Sequence, residues 1–402
     1  MRVCLARGAS KAIMNSSSGL SSFCSPLPVA CSLLPVPRCL LPVPCCPLPV
    51  ASSLLLKRCR TCIFFVCFVG CSFLACQSAL AQQHHHHHPP WQSPVAWSQT
   101  LNEGGSAIRL DVAPGPLDLS HAQIVDWVDT AARAVAEYFG KFPVPRARVL
   151  LVPVANKQGI LAGTTWGAVD GLPAFTRIFL GQHTTQQELT RDWILTFEFV
   201  HIGLPSVPPD GLWTSEGLST WVEPIARAQI GAISPEQAWE ESVPGMSRGE
   251  PRPGEQGLDR TQTWAATYWG GALFWMMADI GIREATHNRK GLQDALRGVV
   301  AAGGSIAVNW PISKVMAVGD RATGTAVLTD LYSKMGEHSF APVDLTALWK
   351  SLGIRQLKGK VAFDNQAPLA PIRQAITRPE LFLPVSGHRR VRMPRGSDDQ
   401  AR

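Results

Sequence analysis

The sequence predicts an α+β fold, with a mixed β-sheet lobe followed by a helical lobe. Three observations carry this expectation. Short β-branched and aliphatic runs come early, at Ala107–Val112, Arg148–Pro153 and Thr176–Leu180. Segments with apolar residues at i, i+3, i+4 and i+7 dominate the later chain. Strands first and helices afterwards is an α+β order, not the strict alternation of a doubly wound sheet.

The elements follow in order. Ser120 to Tyr138 places Ile124, Trp127, Val128, Ala131, Val135 and Tyr138 on one helical face, with Ser120 as N-cap and Gly140 past the end. Gly163-Thr164-Thr165-Trp166-Gly167 reads as a turn-rich edge segment. Thr185-Gln186-Gln187-Glu188 fits a capping box, and Trp193, Ile194, Phe197, Val200 and Leu204 continue at helical spacing until Pro205. One helix is therefore expected over 185–204. A second is expected from Leu212 to Ile230, bent at Pro224. Residues 243–257 are rich in Pro, Gly and charge and read as loop. Further helices are expected at Thr261–Ile282, Lys290–Ala302 and Asp344–Leu352.

Charge and cysteine divide the 402 residues unevenly. All eleven cysteines fall within the first 76 residues, so no disulfide is available to the rest. The first 81 residues hold seven Lys and Arg and no acid. Without them, 30 basic residues face 30 acidic ones, so the net charge of +7 belongs to the leader. A neutral remainder gives no reason to expect a nucleic-acid partner.

Residues 1–56 repeat Leu-Pro-Val with Cys and Ser between, and read as a low-complexity Pro/Cys/Leu leader of the kind a misassigned gene start produces. Residues 57–81 read as a signal peptide. Lys57, Arg58 and Arg60 precede an apolar core at 61–75, and Ala79-Leu80-Ala81 is a small-x-small cleavage site. The expectation is a secreted or periplasmic protein with no membrane span after cleavage, and Cys76 is a rival site for a lipid anchor. Residues 82–105, including His84 to His88, read as a His/Pro linker. Residues 106–384 form the expected domain, and 385–402 a disordered basic tail. Oligomeric state is not legible.

The chemistry concentrates in two short segments. One is Thr196-Phe197-Glu198-Phe199-Val200-His201, and the other runs from Trp213 through Glu216-Gly217 to Trp221. The pair resembles the gluzincins, zinc peptidases related to thermolysin and the alanyl and glycyl aminopeptidases. Their first motif is H-E-x-x-H, in which two histidines four apart share one helix face and grip a zinc ion. Their second, W-x-x-E-G, supplies a glutamate ligand from the next helix. The resemblance implies His201 and Glu216 as metal ligands of Zn²⁺ and Glu198 as general base toward a metal-bound water. Tyr268-Trp269-Gly270-Gly271-Ala272 resembles Y-x-K-G-A, which implies that the Tyr268 hydroxyl stabilises the oxyanion. Gly163, Thr164, Thr165, Trp166 and Gly167 lie where the resemblance implies a substrate-binding edge strand in a gluzincin-type active-site cleft. The G-x-M-E-N segment that anchors a free amino terminus is absent from the sequence.

One departure cuts into that reading. Phe197 stands where the first histidine belongs, and a phenyl ring offers a metal no lone pair. His183, the run His84 to His88, or Glu198 itself are the candidates to replace the missing ligand. Two functions follow. The chain is either a metallopeptidase that hydrolyses peptide or protein substrates at a degenerate zinc site, or a pseudo-peptidase that binds peptides or a partner protein in the cell envelope.

Overall fold

The computed structural model describes residues 4–5 and 89–378. Apart from Cys4–Leu5, the leader, the signal sequence with Cys76, the run His84 to His88 and the tail from 385 lie outside the described residues.

Five strands form a mixed sheet: β1 (Trp97–Glu103), β2 (Ser106–Val112), β3 (Arg146–Val154), β4 (Ile160–Trp166) and β5 (Phe175–Gly181). Their spatial order is β4-β5-β3-β2-β1. The central strands β2, β3 and β5 run parallel, while β1 and β4 run antiparallel to their neighbours. The two-residue strand Cys4–Leu5 lies antiparallel along the outer side of β4, opposite Gly163 and Ala162.

β1 corrects the expected linker, which ran through residue 105. Ser98, Gln99 and Thr100 are exposed, so this outermost strand carries a polar sequence that reads as linker. Gly104 and Gly105, at φ 56° and 79°, make the tight turn into β2.

The inner face of the sheet (Ile108, Leu110, Val112, Val149, Leu151, Ile178, Leu180) packs into one core with helix α1 (His121–Phe139). The α1 stripe is buried as its spacing predicts. Ser120 forms a capping box with Gln123, and Gly140 closes the helix at φ 76°.

The single helix expected over 185–204 is instead two, α2 (Gln186–Thr190) and α3 (Ile194–Val200), followed by a 3₁₀ turn at His201–Gly203. The Thr185–Glu188 capping box forms as expected. The break comes from Asp192. Its carboxylate accepts the backbone N–H groups of Ile194 and Leu195 at 2.9 and 3.0 Å and the Trp127 indole N–H at 3.1 Å, so a new helix starts there.

The helical lobe continues with α4 (Leu212–Gln229), unbroken across Pro224, and α5 (Pro235–Met246). α5 overlaps the stretch read as loop. Its start was written in the sequence, because Ser234 caps through Gln237 and Pro235 occupies the first helical position. A π-helical segment at Ala266–Gly270 leads into α6 (Gly271–Ala285), then α7 (Leu292–Ala301), α8 (Ile312–Thr323), α9 (Val327–Leu331) and α10 (Leu345–Leu352). A small hairpin, β6 (Ile354–Leu357) and β7 (Lys360–Phe363), precedes α11 (Ala370–Thr377). Among the described residues, no helix is long and apolar enough to cross a membrane.

One helix crossing sets the geometry of the site. A Cβ added at Gly217 on α4 would fall on the backbone of Gly271 on α6 and within 2.7 Å of the Ala272 nitrogen. The two helices therefore touch backbone to backbone, which only glycine at both positions permits. Glu216 sits beside one of these glycines, and Tyr268 lies one turn before the other.

Candidate active-site cleft

The short helix α3 forms the floor, and two consecutive residues on it face different walls. Glu198 turns toward strand β4. Its carboxylate accepts the Thr165 hydroxyl at 2.8 Å, and the same hydroxyl lies 3.0 Å from that of Thr176 on β5. A Cβ at Gly163 would stand 2.6–2.9 Å from the Glu198 Cγ, Cδ and Oε1 atoms, so glycine is what lets the strand pass over this side chain. Glu198 is only 2 % exposed. Burial pushes its carboxyl up to about 7, Glu216 adds to the push, and His201 and the Thr165 hydroxyl pull the other way.

Phe197 turns the other way and is buried among rings. Trp193 and His201 meet it edge-on at centroid distances of 5.6 and 5.1 Å, and Tyr268 stacks nearly parallel at 6.4 Å. Tyr268 is stacked in turn on Trp264 at 5.7 Å. The i, i+4 relation of positions 197 and 201 thus survives the change from α to 3₁₀ geometry, and both side chains share one face.

His201 and Glu216 meet from consecutive elements. His201 Nε2 and Glu216 Oε2 are 3.5 Å apart and both side chains are buried. That separation is long for a hydrogen bond. Two ligands of one tetrahedral zinc, bonded at about 2.0–2.1 Å, stand about 3.4 Å apart. The two donors are thus spaced as if for one ion, but a catalytic zinc centre takes three protein ligands. Phe197, one turn before His201 on the same face, offers no donor atom. His183 does not replace it: its Nδ1 pairs with the Asp118 carboxylate at 2.7 Å and its ring is half exposed. Among the described residues, no three His, Cys, Asp or Glu side chains cluster as a metal site. The donor set therefore does not fit a three-ligand zinc centre.

The expected residues separate as follows. Glu198, His201 and Glu216 converge, and Tyr268 joins them through the Phe197 ring. Gly163 and Thr165 line the Glu198 side. Thr164 and Trp166 alternate with Thr165, so their side chains face the other side of the sheet. There Trp166 packs on Phe175 at 5.4 Å and under the Arg177 guanidinium at 5.2 Å. Gly167 lies past the strand end, where a Cβ would meet the Ile306 carbonyl oxygen at 2.6 Å. The sequence reading missed Thr176 as the partner of Thr165, Asp192 as the cap that starts the floor, and Trp264 as the outer ring of the stack. Asp192 alone carried a sequence signal, an acid directly before an apolar helical run.

No family model matches the chain, and no curated protein sequence matches it. Solved structures similar to it include an aminopeptidase N family protein from Idiomarina loihiensis, at 13% identity and a TM-score of 0.48 over 64% of this chain and 49% of that one. Another is an M1 zinc metallopeptidase from Deinococcus radiodurans, at 14% identity and a TM-score of 0.41 over 62% of this chain and 53% of that one. The chain thus spans about half the length of these solved structures.

Proposed function

We propose that this chain is an exported pseudo-peptidase, a gluzincin-like scaffold that binds peptides in a cleft whose zinc chemistry has been lost. The observation that carries the reading is Phe197, a buried ring held by Trp193, His201 and Tyr268 where the motif resemblance implies a metal ligand. A histidine there would complete the donor set that His201 and Glu216 begin. The phenyl ring instead gains about 1.5–3 kcal/mol by burial in a metal-free site. The basic, apolar and small-residue series over 57–81 supports export.

Peptide capture needs only the polar wall. The outer side of β4 pairs antiparallel with the chain's own Cys4–Leu5 opposite Gly163 and Ala162, a place a peptide would take once the leader is removed. A peptide added there gains backbone hydrogen bonds without regard to its sequence. Gly163 lets the strand lie directly against the Glu198 side chain, and Thr165 with Glu198 fixes it against the floor. Hydrolysis would need an activated water, and Glu198 would be the residue to accept its proton. No Lewis acid is supplied by the donor set to lower that water's pKa.

The test pairs the purified protein with its Phe197→His variant in metal analysis and peptide hydrolysis. The expected outcome is negligible zinc and no turnover for the natural chain, with about one zinc per chain gained by the variant. Stoichiometric zinc in the natural chain, with turnover abolished by Glu198→Gln, would overturn the proposal in favour of an active metallopeptidase.

A further inference from the structure

β4 ends the sheet on the cleft side, and the chain itself shows what the outer backbone of that strand can hold. Cys4–Leu5 lies there antiparallel, with Cys4 opposite Gly163 and Leu5 opposite Ala162. Gly163 is also where β4 passes directly over the Glu198 side chain, so the added strand lies just outside the polar wall of the cleft. A bulge adjoins this contact. β4 carries one extra residue between Ile160 and Ala162, which face the consecutive residues Leu180 and Phe179 on β5. A bulge bends its strand and disrupts the ladder, and the described pairing with Cys4–Leu5 ends at Ala162, beside it. The contact is therefore short, and it is made by backbone. Cys4–Leu5 also precedes the small-x-small site at Ala79-Leu80-Ala81, so a cut there separates it from the domain.

We infer that Cys4–Leu5 is an autoinhibitory strap: in the uncleaved chain it occupies the backbone edge of β4 that a bound peptide would use, and removal of the leader opens that edge. This rests on the peptide-binding reading above and adds its regulation. Strap and peptide compete for the same N–H and C=O groups of Ala162 and Gly163. The strap is covalently attached, so it competes at a fixed effective concentration that a free peptide must overcome. Two paired residues make few hydrogen bonds, each of modest net worth, so the strap weakens peptide binding without abolishing it. A covered edge also keeps the uncleaved chain from pairing with other strands.

The experiment compares the full, uncleaved chain with two double variants, Cys4→Pro with Leu5→Pro and Cys4→Ala with Leu5→Ala. Backbone N–H groups alternate between the two sides of a strand, so the proline pair removes whichever donor faces β4, and the alanine pair keeps both. The probes are two fluorescein-labelled peptides, one copying Met1 to Gly8 with Cys4→Ser and one alternating threonine and valine over the same length. Binding is read by fluorescence anisotropy, and a cooperative thermal transition shows that each chain is folded. The proline variant should bind both probes about three- to tenfold more tightly than the full chain, the equivalent of about one net hydrogen bond, and the alanine variant should match the full chain. Hydrogen exchange over Ile160–Trp166 should be faster in the proline variant alone. Equal binding and equal exchange in all three chains overturn the strap and leave peptide binding intact. A gain shared by the alanine variant overturns it in favour of side-chain contacts, and an unprocessed natural chain that starts after Leu5 overturns it outright. Faster exchange in the proline variant with no binding of either probe to any chain sinks the peptide-binding reading, and the inhibitory role with it.

Discussion

The two walls of the cleft are set by neighbouring residues on one short helix, yet they have different chemistry. On the Glu198 side the wall is polar and closely hydrogen-bonded, with Thr165, Thr176 and a glycine that admits a carboxylate. On the Phe197 side it is a stack of rings reaching solvent at Trp264. The polar wall holds a buried carboxyl of raised pKa. At Phe197 the aromatic wall offers a metal no donor atom. Packing and hydrogen bonds alone hold Glu198 and the strand beside it in place.

If packing alone unites the walls, the crossing of α4 and α6 should be the most sensitive point. A Cβ at Gly217 meets backbone atoms of Gly271 and Ala272, which no side-chain rotation can clear. Gly217→Ala should destabilise the protein by about 3 kcal/mol, the upper end of overpacking costs, as a lowered urea midpoint at unchanged slope. A change below about 0.5 kcal/mol, ordinary for a surface site, would show that the crossing is loose and that the walls are held otherwise.

Next in size is the pH dependence of the polar wall. Glu198 has its folded value raised from 4.5 to about 7, chiefly by burial. Between those values the folded protein binds the proton that the unfolded chain has released, so stability falls as pH rises from about 4.5 to about 7. The full difference is about 3 kcal/mol. Glu198→Gln imitates the neutral carboxyl and should flatten the profile, matching the natural protein near pH 4.5 and exceeding it at pH 8. Thermal midpoints across that range measure it. If the natural protein instead gains on the variant as pH rises, a cation is paired with Glu198, and the metal-free account of the cleft fails.

The sequence made some of this legible and hid the rest for identifiable reasons. α1 was readable because its stripe and both caps agree. The meeting of His201 and Glu216 was legible only through the resemblance of the two motifs, because spacing within one helix does not say what the next helix brings to it. The split of 185–204 was hidden because Asp192 interrupts backbone geometry while the apolar period continues across it. β1 was hidden because a polar outermost strand has no alternation to show. The direction of the Gly163–Gly167 side chains was hidden because this turn-rich edge segment shows no apolar–polar alternation. Once it is a strand, period two sends Thr165 to Glu198 and Trp166 to the far face.

Thr165 then gives the smallest and most local test of the polar wall. Its hydroxyl is shared among the Glu198 carboxylate at 2.8 Å, the Glu198 carbonyl at 3.1 Å and the Thr176 hydroxyl at 3.0 Å. Thr165→Val keeps the shape and removes the donor, leaving a buried carboxyl oxygen without this partner. The cost should be about 1–2 kcal/mol, within the range for a buried polar group that loses its hydrogen bond. Because that bond lowers the Glu198 pKa, its loss should also move the upper end of the pH window above about 7. A second variant, Thr165→Ser, restores a hydroxyl and should recover the natural window while keeping a smaller packing loss. If Val and Ser variants share one pH profile, the hydroxyl is not what tunes Glu198. Burial against Gly163 would then account for the carboxyl's state without help from the strand's side chains.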